Sequence, residues 1–165
     1  MKRLKVQIFV LLAVFTIQSA FSAGREIYPA PAQAAADLSA ALKSARETHK
    51  RIILDFGGNW CSDCHVLDIY IHYATNLSIL QSNYLLVHIN IGYHDQNEAI
   101  ANRYQVVITK GVPVLVVLDE HGKLLFSQKT GVFEAVHGVQ SSSVTDFLVH
   151  WKPTKPGCSA VQLTC

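Results

Sequence analysis

The chain has 165 residues, half of them hydrophobic, and a formal net charge of +2. That length suits one domain, and that apolar content can build a real core, which excludes a chain disordered over most of its length. The slight basicity is no nucleic-acid signature either, because three of the basic residues, Lys2, Arg3 and Lys5, sit together at the N-terminus.

Those three residues precede an apolar run from about Val6 to Ile17, followed by small residues at Ser19, Ala20, Ser22, Ala23 and Gly24. Basic start, apolar middle and small-residue end are the three parts of a secretory signal. The run is shorter than the ~20 residues of a spanning helix. Ala20 and Ser22 form the best small-x-small pair, so cleavage is expected after Ser22; an uncleaved anchor is the alternative. The expected division is a signal peptide over 1–22, a domain over 23–152 and a tail over 153–165. Without the signal, 11 basic residues face 12 acidic ones. Neither a nucleic-acid partner nor a membrane span after cleavage is expected. Export would place all four cysteines in an oxidising compartment, where disulfides persist.

Tyr28 to Gln33 carry two prolines and read as an extended lead-in. Leu38, Ala41, Leu42 and Ala45 recur at helical spacing, which predicts an Ala-rich amphipathic helix over Ala34 to Lys50. Arg51 to Phe56 is apolar enough for a central strand, and Gly57-Gly58-Asn59 is a loop. A helix is predicted from Cys64 to about Tyr73, with Leu67, Tyr70 and Ile71 on one side, broken or re-capped at Thr75-Asn76 and followed by a turn or two over Leu77 to Gln81. Tyr84 to Ile91 is a second strand. Asp95 to Tyr104 is a short helix, with Asp95 as cap and Glu98 three residues on. Val112 to Leu118 and Lys123 to Gln128 are strands joined by a turn at Glu120-His121-Gly122. Ser141 to Trp151 is the last helix. Strand–helix–strand units imply parallel pairing with right-handed crossovers, and the closing hairpin adds an antiparallel edge. The predicted class is α/β, a mixed four- to five-stranded sheet with helices on both faces.

Trp60-Cys61-Ser62-Asp63-Cys64 lies where a strand gives way to a helix. Residues three apart in the first helical turn face one side, so the two sulfurs can bond. Cys61 would sit at the helix N-terminus, where free N–H groups and the macrodipole favour a thiolate, the species that attacks disulfides. Cys61 is therefore the expected nucleophile, and Cys64, one turn further in, the residue that resolves the mixed disulfide. A static structural disulfide is the plain alternative. A zinc site would need two more ligands, and there is no second Cys-x-x-Cys; no metal is expected. Cys61-x-x-Cys64-His65 is also the c-type haem attachment signature, but Met1 is the only methionine, and a β-like run ahead of the motif does not suit a small helical cytochrome. No cofactor is expected beyond the cysteine pair.

Three separated pieces resemble the thioredoxin superfamily: Leu54-Asp55-Phe56 before Trp60-Cys61-x-x-Cys64; Ile89-Asn90-Ile91 before an Asn-containing helix; and Lys110-Gly111-Val112-Pro113-Val114-Leu115-Val116. They occur in the family's order and span most of Ala34 to Trp151. The resemblance implies a thioredoxin-like fold and an exported, periplasmic thiol–disulfide interchange protein. It also implies particular roles. Asp55 would be the buried carboxylate under the pair, its charged form disfavoured by burial, exchanging a proton with Cys64. Pro113 would follow a cis bond, Val112 would offer backbone groups to an extended substrate, and Trp60 would cover one side of the disulfide. Three departures stand out: Gly57 replaces the usual aromatic, Ser62-Asp63 lies between the cysteines, and extra residues occur around Val107 to Thr109. Asp63 and His65 are the expected tuners of the pair. A carboxylate about 7 Å from the sulfur, at an effective dielectric of roughly 40–80, opposes a Cys61 thiolate by on the order of 0.6–1.2 kcal/mol. That points to a reducing poise.

Cys158 and Cys165 lie in the tail, and a short loop between them closes readily, so a second, structural disulfide is expected there. The partners implied are proteins bearing disulfides or thiols, and a redox protein that resets the pair. Two rival functions remain: haem-based electron transfer through Cys61-x-x-Cys64-His65, and a binding or assembly factor with little turnover.

Overall fold

A single extended strand, β1 (Arg51–Gly57), is the spine of the structure, a computed structural model that describes residues 25–128 and 141–154. Six of its seven residues are buried, as its unbroken apolar run requires of a strand covered on both faces. It pairs in parallel with β2 (Tyr84–Asn90) and antiparallel with β3 (Val114–Leu118), and β3 pairs antiparallel with β4 (Leu124–Ser127), giving the order β2-β1-β3-β4. The mixed α/β sheet anticipated from the sequence is thus four-stranded among the described residues.

Helix α1 (Ala34–Thr48) precedes β1, and α2 (Ser62–Ile71) follows it. Next come α3 (Ala74–Asn83), α4 (Glu98–Arg103) after β2, and α5 (Ser141–His150). Alternation along the strands divides the core in two. On one face, Leu38 and Ala45 of α1 and Ala101 of α4 pack with Ile52, Leu54, Phe56, Val87, Ile89 and Val116. On the other, Leu67 and Ile71 of α2, Leu80 of α3 and Val144 and Leu148 of α5 pack with Ile53, Leu115 and Val117.

Two registers position the site. Asp55 lies opposite His88 in the parallel pair, and Phe56 lies opposite Val114 in the antiparallel one. The second register carries Val112 and Pro113 past the end of β1, beside the loop that leads to the cysteines.

Local structure departs from the sequence reading in three places. The lead-in ends in a 3-10 turn, Pro31–Gln33, rather than staying extended; proline suits a first helical position because its missing N–H has no partner to lose. The helical break falls at His72 and Tyr73, ahead of Thr75-Asn76, and α3 is a full ten-residue helix. Asn76 spans the break instead of making it: its buried amide donates to the Tyr70 carbonyl at 2.8 Å and accepts from the Thr145 hydroxyl at 2.6 Å. Asp95 does not cap α4. Its carboxylate accepts from the Tyr93 N–H at 3.0 Å, shaping the preceding loop, and α4 starts after Asn97, whose φ is 57°. The expected signal segment and the tail with Cys158 and Cys165 lie outside the described residues. Among the described residues, no helix is long and apolar enough to cross a membrane.

The buried Asn76 joins α2, α3 and α5 through two part-buried hydrogen bonds, each of which would leave an unsatisfied partner if broken. Asn76→Ala is therefore expected to cost about 1–3 kcal/mol in urea denaturation; a loss within ~0.3 kcal/mol would show that the break is held otherwise.

Candidate active site

Cys61 is the N-cap of α2. Its backbone is extended (φ −87°, ψ 111°), and its sulfur accepts from the Cys64 N–H at 3.2 Å. The first helical turn thus aims a free N–H at that sulfur, as the motif's place at a strand–helix junction dictates. Cys61 and Cys64 form a disulfide with their Cα atoms 5.3 Å apart, inside the usual range. The two residues differ in access: Cys61 keeps 6 % of its surface exposed and Cys64 none.

Val112 and Pro113 stand against the outer cysteine. Their peptide bond is cis, and the Val112 carbonyl oxygen lies 3.7 Å from the Cys61 sulfur. Trp60, Cys61, Ser62, Asp63, His94, Gly111 and Val112 line an open groove of about 310 Å³. Trp60 is 43 % exposed. It is held from one edge, where its indole N–H donates to the Gly92 carbonyl at 2.6 Å, and its ring stacks on Tyr93 with centroids 5.8 Å apart and planes 18° apart. Tyr93 is 79 % exposed and backs Trp60, the aromatic that lines the groove. The His65 ring nitrogen Nε2 lies 2.9 Å from the Asn59 carbonyl oxygen, so this side chain braces the loop before the pair. Among the described residues, no group of three His, Cys, Asp or Glu could hold a metal.

Beneath the pair lies Asp55, buried at the heart of β1. A carboxylate out of water needs partners. It has two, both on Oδ2: the Tyr28 hydroxyl donates at 2.7 Å, and the His88 Nδ1 lies at 3.0 Å. The Tyr28 and His88 rings meet edge-on, centroids 5.1 Å apart. Burial first, then the charge of Asp55 and the hydrogen bond to it, then Asp68, hold the Tyr28 hydroxyl well above its ordinary pKa of 10.0. For His88, burial pulls the pKa down, but the hydrogen bond to Asp55, its charge and that of Asp68 outweigh burial and the opposing Arg25; the net shift is upward from 6.5.

Tyr28 reaches this position because the lead-in is stapled to the domain by amide side chains. Asn59 accepts from the Ile27 and Tyr28 N–H groups at 2.8 and 2.9 Å and donates to the Tyr28 carbonyl at 2.8 Å. Asn90 donates to the Pro29 carbonyl at 2.8 Å, and Asn97 to that of Pro31 at 2.9 Å. Arg25 pairs with the buried Asp68 of α2 at 3.3 Å.

The residue range 33–120 matches the family model described as thioredoxin-like. The chain belongs to the thioredoxin-like family. It carries that family's thiol–disulfide oxidoreductase fold with a Cys61–Cys64 pair. Among solved structures, it is similar to the disulphide isomerase of Xylella fastidiosa Temecula1, at 29 % identity and a TM-score of 0.73 over 78 % of this chain and 98 % of that one. A thioredoxin from Thermus thermophilus shares the fold, at 16 % identity and a TM-score of 0.51, covering 74 % of this chain and 83 % of the other. No curated protein sequence matches the chain.

Sequence reasoning named the pair Cys61 and Cys64 with Asp55, Trp60, Asp63, His65, Val112 and Pro113, and also Cys158 and Cys165; the structure places Trp60, Asp63 and Val112 on the groove with Cys61, and Cys158 and Cys165 lie outside the described residues. Sequence reasoning missed Tyr28, His88, Asn59 and Tyr93. One signal did exist: a glycine at 57, where the family's aromatic is usual, leaves a volume that another ring must fill, and Tyr28 fills it. His88 is found only from the β1–β2 register.

The pairing of His88 with Asp55 links stability to pH. A folded-state pKa above the unfolded value contributes stability that is complete below about pH 6.5 and fades as pH rises through the folded value. Wild-type protein should therefore lose stability relative to His88→Gln as urea melts move from pH 5.5 to 8.5. A difference between the two proteins that stays flat over that window would refute the linkage.

Proposed function

We propose that this protein is an exported thiol–disulfide oxidoreductase that exchanges disulfides in protein substrates and works from its reduced dithiol. The observation that carries this reading is the asymmetry of the pair: Cys61 caps a helix N-terminus and lines an open groove beside a cis-proline loop, with Cys64 fully buried behind it.

Cys61 acts as the nucleophile. The N–H groups of the first turn of α2 favour its thiolate, which attacks a substrate disulfide and releases one substrate thiol. An extended substrate lies along the groove, with its backbone against Val112 and its side chains against Trp60. Cys64 then attacks the Cys61 sulfur, forming the internal disulfide and freeing the second substrate thiol. Asp55 takes the proton that Cys64 must lose. An unidentified redox partner returns the pair to the dithiol.

Two considerations favour the reducing direction. Asp63 sits in the first turn of α2 on the groove that holds Cys61, where its charge opposes the thiolate and so destabilises the reduced form; a strong oxidant needs the opposite arrangement, a stabilised thiolate. The similar Xylella fastidiosa protein is described as a disulphide isomerase, and isomerisation also begins with attack by a reduced cysteine. Export rests on the basic, apolar and small-residue pattern of residues 1–22, and it places the protein in a periplasm.

Cys64→Ser should accumulate a mixed disulfide between Cys61 and substrate when incubated with a disulfide-bonded protein, and Cys61→Ser should accumulate none. Trapping on position 64 in place of 61 would reverse the assignment. Asp63→His should make the pair more oxidising in a glutathione titration, by roughly tens of millivolts, since ~30 mV corresponds to about 1.4 kcal/mol. A shift in the reducing direction would remove the electrostatic basis for a reductase.

A further inference from the structure

The resolving step poses a problem of access. Cys64 must give up a proton before its sulfur can attack, yet it has no exposed surface. Asp55, which is to receive that proton, is equally enclosed. Whatever joins them must already be inside the protein.

The glycine at 57 identifies that group. Gly57 follows Asp55 by two residues on β1, so both project toward the same face of the sheet. A Cβ at Gly57 would lie 2.7 Å from the Cys64 sulfur and 2.7 Å from Tyr28 Cζ, and closer still to the Tyr28 hydroxyl oxygen. The hydroxyl and the sulfur therefore border one small gap that only a residue without a side chain leaves open. The same hydroxyl donates to Asp55 Oδ2 at 2.7 Å. A phenol oxygen that donates its proton keeps lone pairs to accept another.

We propose that Tyr28 is a proton-relay residue that joins Cys64 to Asp55 during release of the mixed disulfide, an inference that rests on the exchange function proposed above. As the Cys64 S–H proton moves to the Tyr28 oxygen, the Tyr28 O–H proton passes to Asp55 Oδ2. The phenol is neutral before and after. The Cys64 electron pair attacks the Cys61 sulfur, the bond between Cys61 and the substrate sulfur breaks, and its electron pair leaves on the substrate, which takes a proton from water. The enzyme dithiol is oxidised to the Cys61–Cys64 disulfide, and the substrate disulfide is reduced to two thiols.

Two features of the surroundings suit a relay. The burial and neighbouring carboxylates that raise the Tyr28 pKa keep a free tyrosinate from accumulating, so both protons shift together. The Asn59, Asn90 and Asn97 amides hold the lead-in backbone on either side of Tyr28, which fixes the hydroxyl without using its own hydrogen-bonding capacity.

Tyr28→Phe removes the relay oxygen and keeps the ring. The reduced protein is mixed with a disulfide-linked fluorescent peptide under single-turnover conditions, and formation and release of the mixed disulfide are timed separately. Relay through Tyr28 predicts release slowed about 10- to 100-fold, with formation by Cys61 changed less than ~2-fold. Asp55→Asn should slow release by a similar factor, and the double variant should be no slower than the slower single one, because both remove links of one path. Release at the wild-type rate in Tyr28→Phe, or losses that multiply in the double variant, would overturn the relay while leaving the exchange function intact. Failure of wild-type protein to form any mixed disulfide would take both readings down. If Tyr28→Phe does not fold, the release rate of wild-type protein in H₂O–D₂O mixtures decides: a curved dependence, from two protons in flight, supports the relay, and a linear one refutes it.

Discussion

The rest of the site is arranged around one buried carboxylate. Asp55 occupies the middle of the central strand, where the sheet excludes water from both faces. Removing a carboxylate from water without partners costs several kcal/mol, and that penalty has to be met locally. Two groups from distant parts of the chain, Tyr28 and His88, meet part of it by converging on Oδ2, while Oδ1 is buried with no hydrogen-bond partner. Such a polar cluster inside an apolar core destabilises the fold unless it is satisfied, so its survival in the middle of β1 argues for use rather than for structure.

This requirement explains why the lead-in is part of the domain and not merely an approach to it. Three asparagine amides and the Arg25–Asp68 pair tie residues 25–31 down, and each tie orders backbone that would otherwise be free. The strap delivers one side chain, Tyr28, to the space that Gly57 vacates. An aromatic at 57 would fill that space from within β1, but it would bring no hydroxyl to Asp55. The exchange of an aromatic at 57 for a ring supplied from 28 therefore keeps the packing and adds a polar contact beneath the cysteines.

The outer side of the pair obeys different physics. There the Trp60–Tyr93 stack presents aromatic surface to solvent, and the largely buried cis peptide at Val112-Pro113 borders the open groove that Val112 lines. Rings with few rotatable bonds lose little entropy on contact, and a free carbonyl can accept from an extended chain. Cys61 thus lines an open groove, while Cys64 lies wholly in the interior. The short first turn of α2 is what separates those two environments by a single helical step.

The fold was legible in the sequence because its signals are local. An apolar run gave β1, helical spacing gave α1, and the strand–helix junction at Trp60-Cys61-x-x-Cys64 gave the chemistry, since residues three apart on a first turn must face together. Boundaries moved where tertiary contacts intervened: Asn76 could be read as a breaker until α5 supplied Thr145 as its partner, and Asp95 resembled a cap until Tyr93 claimed its carboxylate. The partners of Asp55 were beyond sequence reading altogether. His88 is 33 residues away and Tyr28 is 27, and no periodicity connects them to position 55. The sequence by itself determined the strands, the cysteine spacing and the place of the buried carboxylate, all of which depend on residues near one another in the chain. Only the tertiary structure decided what that carboxylate touches, because the β1–β2 register and the strap's docking are choices made across space, by burial and hydrogen bonding between segments that are strangers in sequence.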